Sequence, residues 1–223
     1  MNNPSDMFSD QYSERLFSVI QMLQRSALMN MGAEKVLCTD ISDILLKKGK
    51  EAGFIDEYSQ QNGENLSFKD NSYDVVICSE VLEHVEDPEI ALKELARVLK
   101  KGGKLAVSVP RFFPEWLCWK ISDEYSKTPG GHVRIFRHSQ LRKLATVEGL
   151  RYLSFHWAHG LHSPYWWLQC LFWKNKEKSF LVKKYHQFLV WDLMKKPFLT
   201  RILEFILQPL IGKSVVMYFR KPS

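Results

Sequence analysis

The stretch from Asn71 to Val109 does most to limit what this chain can fold into. Asn71-Ser72 is turn chemistry, and Tyr73-Asp-Val-Val-Ile-Cys78 is a nearly continuous apolar run. A strand that is apolar on both faces belongs in a parallel sheet covered by helices. Asp87-Pro88 then opens an amphipathic segment. Asp87 suits an N-cap, and Pro88 suits the first helical position, where a missing N–H costs nothing. Ile90, Leu92, Leu95, Val98 and Leu99 supply its apolar face, and Gly102-Gly103 predicts its end. Lys104-Leu-Ala-Val-Ser-Val109 is a second strand of the buried type, stopped by Pro110. Strand, helix and strand in that order are the βαβ rhythm of a doubly wound α/β sheet.

The flanks extend the pattern. Val36-Leu-Cys-Thr-Asp40 is a short apolar run ending in an acid, and Ser42 predicts the cap of a helix from Asp43 to about Lys50. Ser139 to Glu148 reads as a helix closed by Gly149, Leu150 to His156 as a strand, and Ser214 to Phe219 as the last strand. Residues 157–213, between those two strands, are aromatic, basic and read as helical. The expected organisation is one domain over 1–223, with an atypical helical segment at 1–32 and a helical insertion or lid at 157–213. The four cysteines are scattered and form no CxxC pair, which disfavours structural zinc and fits a reduced, cytosolic chain. Met1-Asn-Asn-Pro-Ser-Asp6 lacks the basic and apolar regions of a signal peptide. Tyr152 to Trp173 is free of Asp, Glu, Lys and Arg, but its histidines, glycine and proline argue against a spanning helix.

The run Asn65-Leu-Ser-Phe-Lys-Asp-Asn-Ser-Tyr-Asp-Val-Val-Ile-Cys-Ser-Glu-Val-Leu-Glu-His-Val85 resembles the class I S-adenosylmethionine-dependent methyltransferases, in particular those of type 11, which include small-molecule and quinone methyltransferases. Ala91 to Leu105, with its Gly-Gly turn, and Gly131-His-Val-Arg-Ile-Phe136 continue the likeness. The resemblance implies a Rossmann-like, mainly parallel sheet with an antiparallel last strand, and S-adenosyl-L-methionine as cofactor at the carboxyl ends of the strands. It implies that Asp40, with Ile41 beside it, accepts hydrogen bonds from ribose hydroxyls. As a residue alone, Asp40 reads equally as a capping or surface acid. The resemblance puts Asn62-Gly63 near the adenine, though a plain Asn-Gly turn is an equal reading. It puts Ser79 and Glu80 beside the methionine part. His132 and Arg134 lie where the family's substrate-facing residues often come from. His132 is a candidate general base, and Arg134 a candidate holder of an anionic group, against a solvated loop as the alternative. His156, His159 and His162 recur every third residue, but this is no standard ligand set, and no metal is expected.

One departure stands out. The family's first strand and its glycine-rich loop should precede Val36 by about one helix. Glu14 to Ala33 holds only Gly32. Loss of a central strand would leave its neighbours' backbone groups to be satisfied by another segment. The function expected is therefore methyl transfer to a small or lipophilic acceptor. The alternative is a catalytically impaired methyltransferase-like protein acting as a binding or membrane-surface module.

Charge divides the chain. Residues 1–100 carry 10 Lys and Arg against 18 Asp and Glu, and residues 101–223 carry 21 against 7. The basic half holds most of the aromatics. Ser163 to Trp173 alone has five, and lysines interleave with Phe180, Tyr185, Phe188, Trp191 and Phe198 further on. A lid over an apolar acceptor pocket is the default reading. Peripheral association of 163–213 with an anionic membrane is compatible with it. Nucleic acid is not expected as a partner, because no binding motif is visible and long apolar runs argue for burial.

Overall fold

The computed structural model describes residues 28–30, 32–195 and 197–223. The chain divides into two compact units, with the boundary after Ser67. Most of the atypical helical segment expected at 1–32 lies outside the described residues. Leu28–Asn30 are helical, and Gly32 turns the chain in the left-handed region at φ 92°, its N–H donating to Met29 O.

In the first unit, β1 (Leu37–Asp40) pairs in parallel with β2 (Glu57–Gln60), and α1 (Asp43–Glu51) connects them. Ser42 caps α1, its Oγ accepting from Leu45 N at 3.4 Å. The cap fixes where the chain leaves the sheet, so Asp40 stands at the carboxyl end of β1.

The second unit holds a four-stranded sheet in the order β3-β4-β6-β5, from β3 (Tyr73–Ser79), β4 (Leu99–Pro110), β5 (Arg151–Ala158) and β6 (Ser214–Arg220). β3 and β4 are parallel, and β6 runs antiparallel to both β4 and β5. This is the Rossmann-like α/β arrangement with the antiparallel last strand that the sequence predicts. Two helices, α2 (Pro88–Val98) and α5 (His138–Val147), pack together and on the sheet. Leu92, Leu105, Val107, Phe136, Leu141, Met217 and Phe219 interlock in the core they share.

The α2–β4 junction differs from expectation. The helix stops at Val98, and β4 begins at Leu99 rather than after Gly102-Gly103. Two features account for it. Lys221 Nζ donates to Ala96 O at 2.7 Å and Leu99 O at 2.8 Å, so an ammonium from past the last strand satisfies carbonyls that close the helix. The register of β4 shifts between Tyr73 and Val75, and Gly102 absorbs the shift at φ 77°.

Between β5 and β6 stand α6 (His162–Leu171), a 3-10 turn (Trp173–Asn175), α7 (Phe180–Lys195) and α8 (Phe198–Ile211). Leu161, Tyr165, Val182 and Leu189 form a small core there, joined by Trp166, Tyr185 and Leu207. The polar side of α8 faces inward. Glu204 accepts from Gly160 N at 2.7 Å and Leu161 N at 2.9 Å, capping the start of α6, and Arg201 grips both oxygens of buried Asp192 at 2.9 and 2.8 Å. The apolar side therefore turns out: Phe198, Leu199, Ile202, Phe205, Ile206 and Leu210 are exposed. Burial, which the apolar run predicts, is reversed because the helix spends its few polar groups on its neighbours. Among the described residues, no helix is long and apolar enough to cross a membrane.

Gly103 tests the tight β3–β4 seam. A Cβ there would lie 2.8 Å from Lys100 O and 2.9 Å from Asp74 O, both backbone atoms. Gly103→Ala should lower unfolding free energy by about 1–3 kcal/mol in denaturant titration. Gly53→Ala, in open space but at φ 73°, should cost less, about 1 kcal/mol.

Candidate active site

Within the first unit, Asp40 Oδ1 accepts from Ser42 N at 2.8 Å, and its backbone carbonyl accepts from Gln61 N. Burial raises the Asp40 carboxyl above the ordinary aspartate value, against the pull of its backbone hydrogen bonds. Ile41 is exposed, and its carbonyl accepts from Gln60 Nε2 at 2.9 Å. Asn62 Oδ1 accepts from Glu64 N at 2.9 Å, so the Asn62-Gly63 segment is an Asx turn held by its own side chain.

Within the second unit, β3 ends at Ser79, whose Oγ lies 3.1 Å from Ser108 Oγ on β4. Glu80 follows in the left-handed region at φ 53°, a strained backbone for a residue with a side chain, fixed by its N–H donating to Ser108 O. Its Oε1 is buried and has no hydrogen-bond partner among the described residues.

His132 and Arg134 part company. The Arg134 guanidinium ties the loop after β3, donating to Leu82 O at 2.9 Å, to Val85 O and to Glu86 O at 2.8 Å. The expected anion-holding role thus gives way to bracing of the backbone that carries Glu83 and His84. His132 enters a buried network. Its Nδ1 is 2.6 Å from Glu115 Oε1, which also accepts from Tyr125 Oη at 2.8 Å, while Lys213 Nζ donates to Glu115 Oε2. Glu115 comes from α3 (Phe112–Ile121), Tyr125 from the one-turn α4 (Asp123–Ser126), and Lys213 from the residue before β6. Burial would raise the Glu115 carboxyl, but the Lys213 charge and the His132 hydrogen bond outweigh it and hold it at about 2. Burial likewise opposes the Lys213 charge, and Glu115 beside it keeps the ammonium's value raised. An ionised carboxylate only accepts, so His132 Nδ1 carries the hydrogen, and Nε2 is left facing Glu83, 4.0 Å from Oε1.

Glu83 is fully buried, and neither carboxylate oxygen is hydrogen-bonded among the described residues. Burial, then repulsion from Glu80, pushes its carboxyl well above the usual glutamate value. His84 lies beside it, its Nδ1 3.0 Å from Gly130 O. The insertion walls this cluster. Trp167 Nε1 donates to Pro114 O at 3.1 Å, and the Trp166 ring lies 5.9 Å from Tyr125 and 5.5 Å from Lys213 Nζ. By contrast, His156 stacks on Tyr218 out on β5, and His156, His159 and His162 form no ligand group. The sequence reading missed Glu115 and Lys213. Their one signal was a lone charge in each of two apolar surroundings, Phe113-Pro-Glu-Trp-Leu117 and Ile211-Gly-Lys-Ser-Val215.

Comparison with known proteins bears on the fold and on one segment of the chain. The family described as the methyltransferase domain matches residues 21–107, under half of the chain. The ubiquinone/menaquinone biosynthesis C-methyltransferase UbiE of Cronobacter sakazakii is 44% identical over 89 residues, covering 36% of this chain and 36% of that protein. The cyclase SpnF shares the fold with a TM-score of 0.56 at 14% identity, over 94% of this chain and 81% of that one. So does Haemonchus contortus phosphoethanolamine N-methyltransferase 2, solved with S-adenosyl-L-methionine, with a TM-score of 0.52 at 16% identity, over 90% and 46%. The matched segment is similar to a methyltransferase domain, and the chain shares its Rossmann-like fold with these solved structures. The match spans about a third of the length of the curated relatives.

The network is open to test. Glu115→Gln or Lys213→Met alone should destabilise the protein by about 3–5 kcal/mol, because each strands a buried charge, and the double variant should recover much of the loss. Glu115 has a folded value near 2 against 4.5 unfolded. Its contribution is complete above about pH 4.5 and is lost as pH falls toward 2. Thermal melts of wild type should fall over that window, and those of the double variant should fall less.

Proposed function

We propose that this chain transfers a methyl group from S-adenosyl-L-methionine to a small, lipophilic, quinol-like acceptor. Glu80 carries the reading. A strained residue at the carboxyl end of β3, with a buried carboxylate oxygen that none of the described residues satisfies, suits the ammonium of the methionine part. Ser79 flanks it. Asp40 would accept ribose hydroxyls through the oxygen not turned to Ser42, with Ile41 and the Asn62-Gly63 turn on the nucleoside side. The cofactor supplies an electrophilic methyl on a sulfonium. The protein's part is to align the acceptor, exclude water and remove a proton. His132, oriented by Glu115, would take the proton of an acceptor hydroxyl at Nε2, which raises electron density on the attacking atom. Trp166, Tyr125 and Trp173 form an aromatic wall beside it that suits a flat, apolar acceptor.

The competing reading is a methyltransferase-like protein that has lost its cofactor, and SpnF shows that the fold alone does not fix the reaction. Calorimetric titration with S-adenosylmethionine and S-adenosylhomocysteine separates the two. The enzyme reading expects saturable binding, weakened at least tenfold by Asp40→Ala, and no detectable binding of either compound would defeat it. With an accepted quinol, His132→Ala should lower kcat/KM by about a hundredfold or more.

The outward apolar face of α8 favours a second site of action, the surface of an anionic membrane. Phe198 and Phe205 are 81% and 80% exposed, and Lys183, Lys184 and Lys195 lie exposed on the neighbouring helix. In flotation with vesicles containing phosphatidylserine, the protein should rise with the lipid. Phe198→Asp/Phe205→Asp should stay in the soluble fraction while unfolding within about 0.5 kcal/mol of wild type. Wild-type protein left wholly soluble would refute this site.

A further inference from the structure

We propose that Glu83, His84 and His132 bind a first-row divalent cation of the zinc type. The three residues come from the loop after β3 and from the segment before α5, and Arg134 pins one to the other. His84 Nε2 and His132 Nε2 each lie 4.0 Å from Glu83 Oε1, and the three ligand atoms fall within 4.8 Å of one another. Two ligands bonded at about 2.1 Å to one ion stand at most about 4.2 Å apart, so the present spacing needs only a small closure.

Three observations point to an ion rather than to chance proximity. Glu83 is fully buried, and among the described residues neither carboxylate oxygen has a partner, an arrangement that costs free energy unless something fills it. Both imidazoles are held from behind at Nδ1. Gly130 O and Gly131 O lie 3.0 and 3.2 Å from the His84 nitrogen, and Glu115 Oε1 lies 2.6 Å from the His132 nitrogen. That support leaves Nε2 as the lone-pair nitrogen of both rings, as in carboxylate–histidine–zinc arrangements. Finally, His84 is 37% exposed, which gives an ion an approach from solvent, while Glu83 closes the far side.

Charge is compatible. Lys213, the nearby cation, is paired with Glu115, so the ion meets the Glu83 carboxylate, with Glu80 as a further acid close by. Two imidazoles and one carboxylate leave at least one position open. An acceptor hydroxyl there would lose its proton more readily, with His132 then acting as a ligand rather than as the base. The site does not depend on methyl transfer. An ion can bind whether or not S-adenosylmethionine does.

The test is zinc binding to the full chain after removal of adventitious metal, measured by competition with a chromophoric chelator. One equivalent should bind, and Glu83→Gln and His84→Asn should each weaken it at least tenfold, with His156→Gln unchanged. Absence of binding at stoichiometric zinc, or equal binding by all variants, overturns the proposal. Should a variant fail to fold, X-ray absorption of the zinc-loaded wild type decides. Two imidazole nitrogens and oxygen at about 2.0–2.1 Å support the site, and sulfur in the shell refutes it.

Discussion

The buried carboxylate of Glu115 is the contact on which the second unit's polar cluster depends. One side chain collects His132, Tyr125 and Lys213, from segments as far as 98 residues apart. Placing an anion in the interior is expensive, and each partner offsets part of that cost only in one geometry. The network therefore positions more than it stabilises. It locks the tautomer of His132, anchors the end of the helical insertion just before β6, and holds Tyr125 where the tryptophans of the insertion can pack.

Much of the fold was legible because it rests on local signals. Asp87-Pro88 and Ser42 act over a few residues, and the structure uses both as read. Tyr73–Cys78 is the strand expected, but Val75 and Ile77 on it are exposed rather than buried on both faces. The α2–β4 junction was misplaced because Lys221, more than 120 residues away, supplies the helix's last hydrogen bonds, and no local pattern records that.

The site was less legible, for the same reason. Asp40, Glu80 and His132 are visible as polar residues at strand ends or in a resembling motif. What Glu115 does depends on Lys213, and nothing in the spacing links them. Arg134 looked like a substrate ligand because its charge is all the sequence shows, yet its donors are used by three carbonyls. Helix α8 teaches a related point. Its apolar run was clear, but which face turns inward depends on Asp192 and the amides at 160–161, which Arg201 and Glu204 seek out.

Nitrogen NMR of the histidine rings at neutral pH reads directly whether an ionised Glu115 fixes the tautomer of His132, on which the proposed proton transfer at Nε2 rests. Nδ1 of His132 should carry the proton in the wild type, and the ring should lose that preference in Glu115→Gln/Lys213→Met. A neutral ring protonated at Nε2 in the wild type would contradict it.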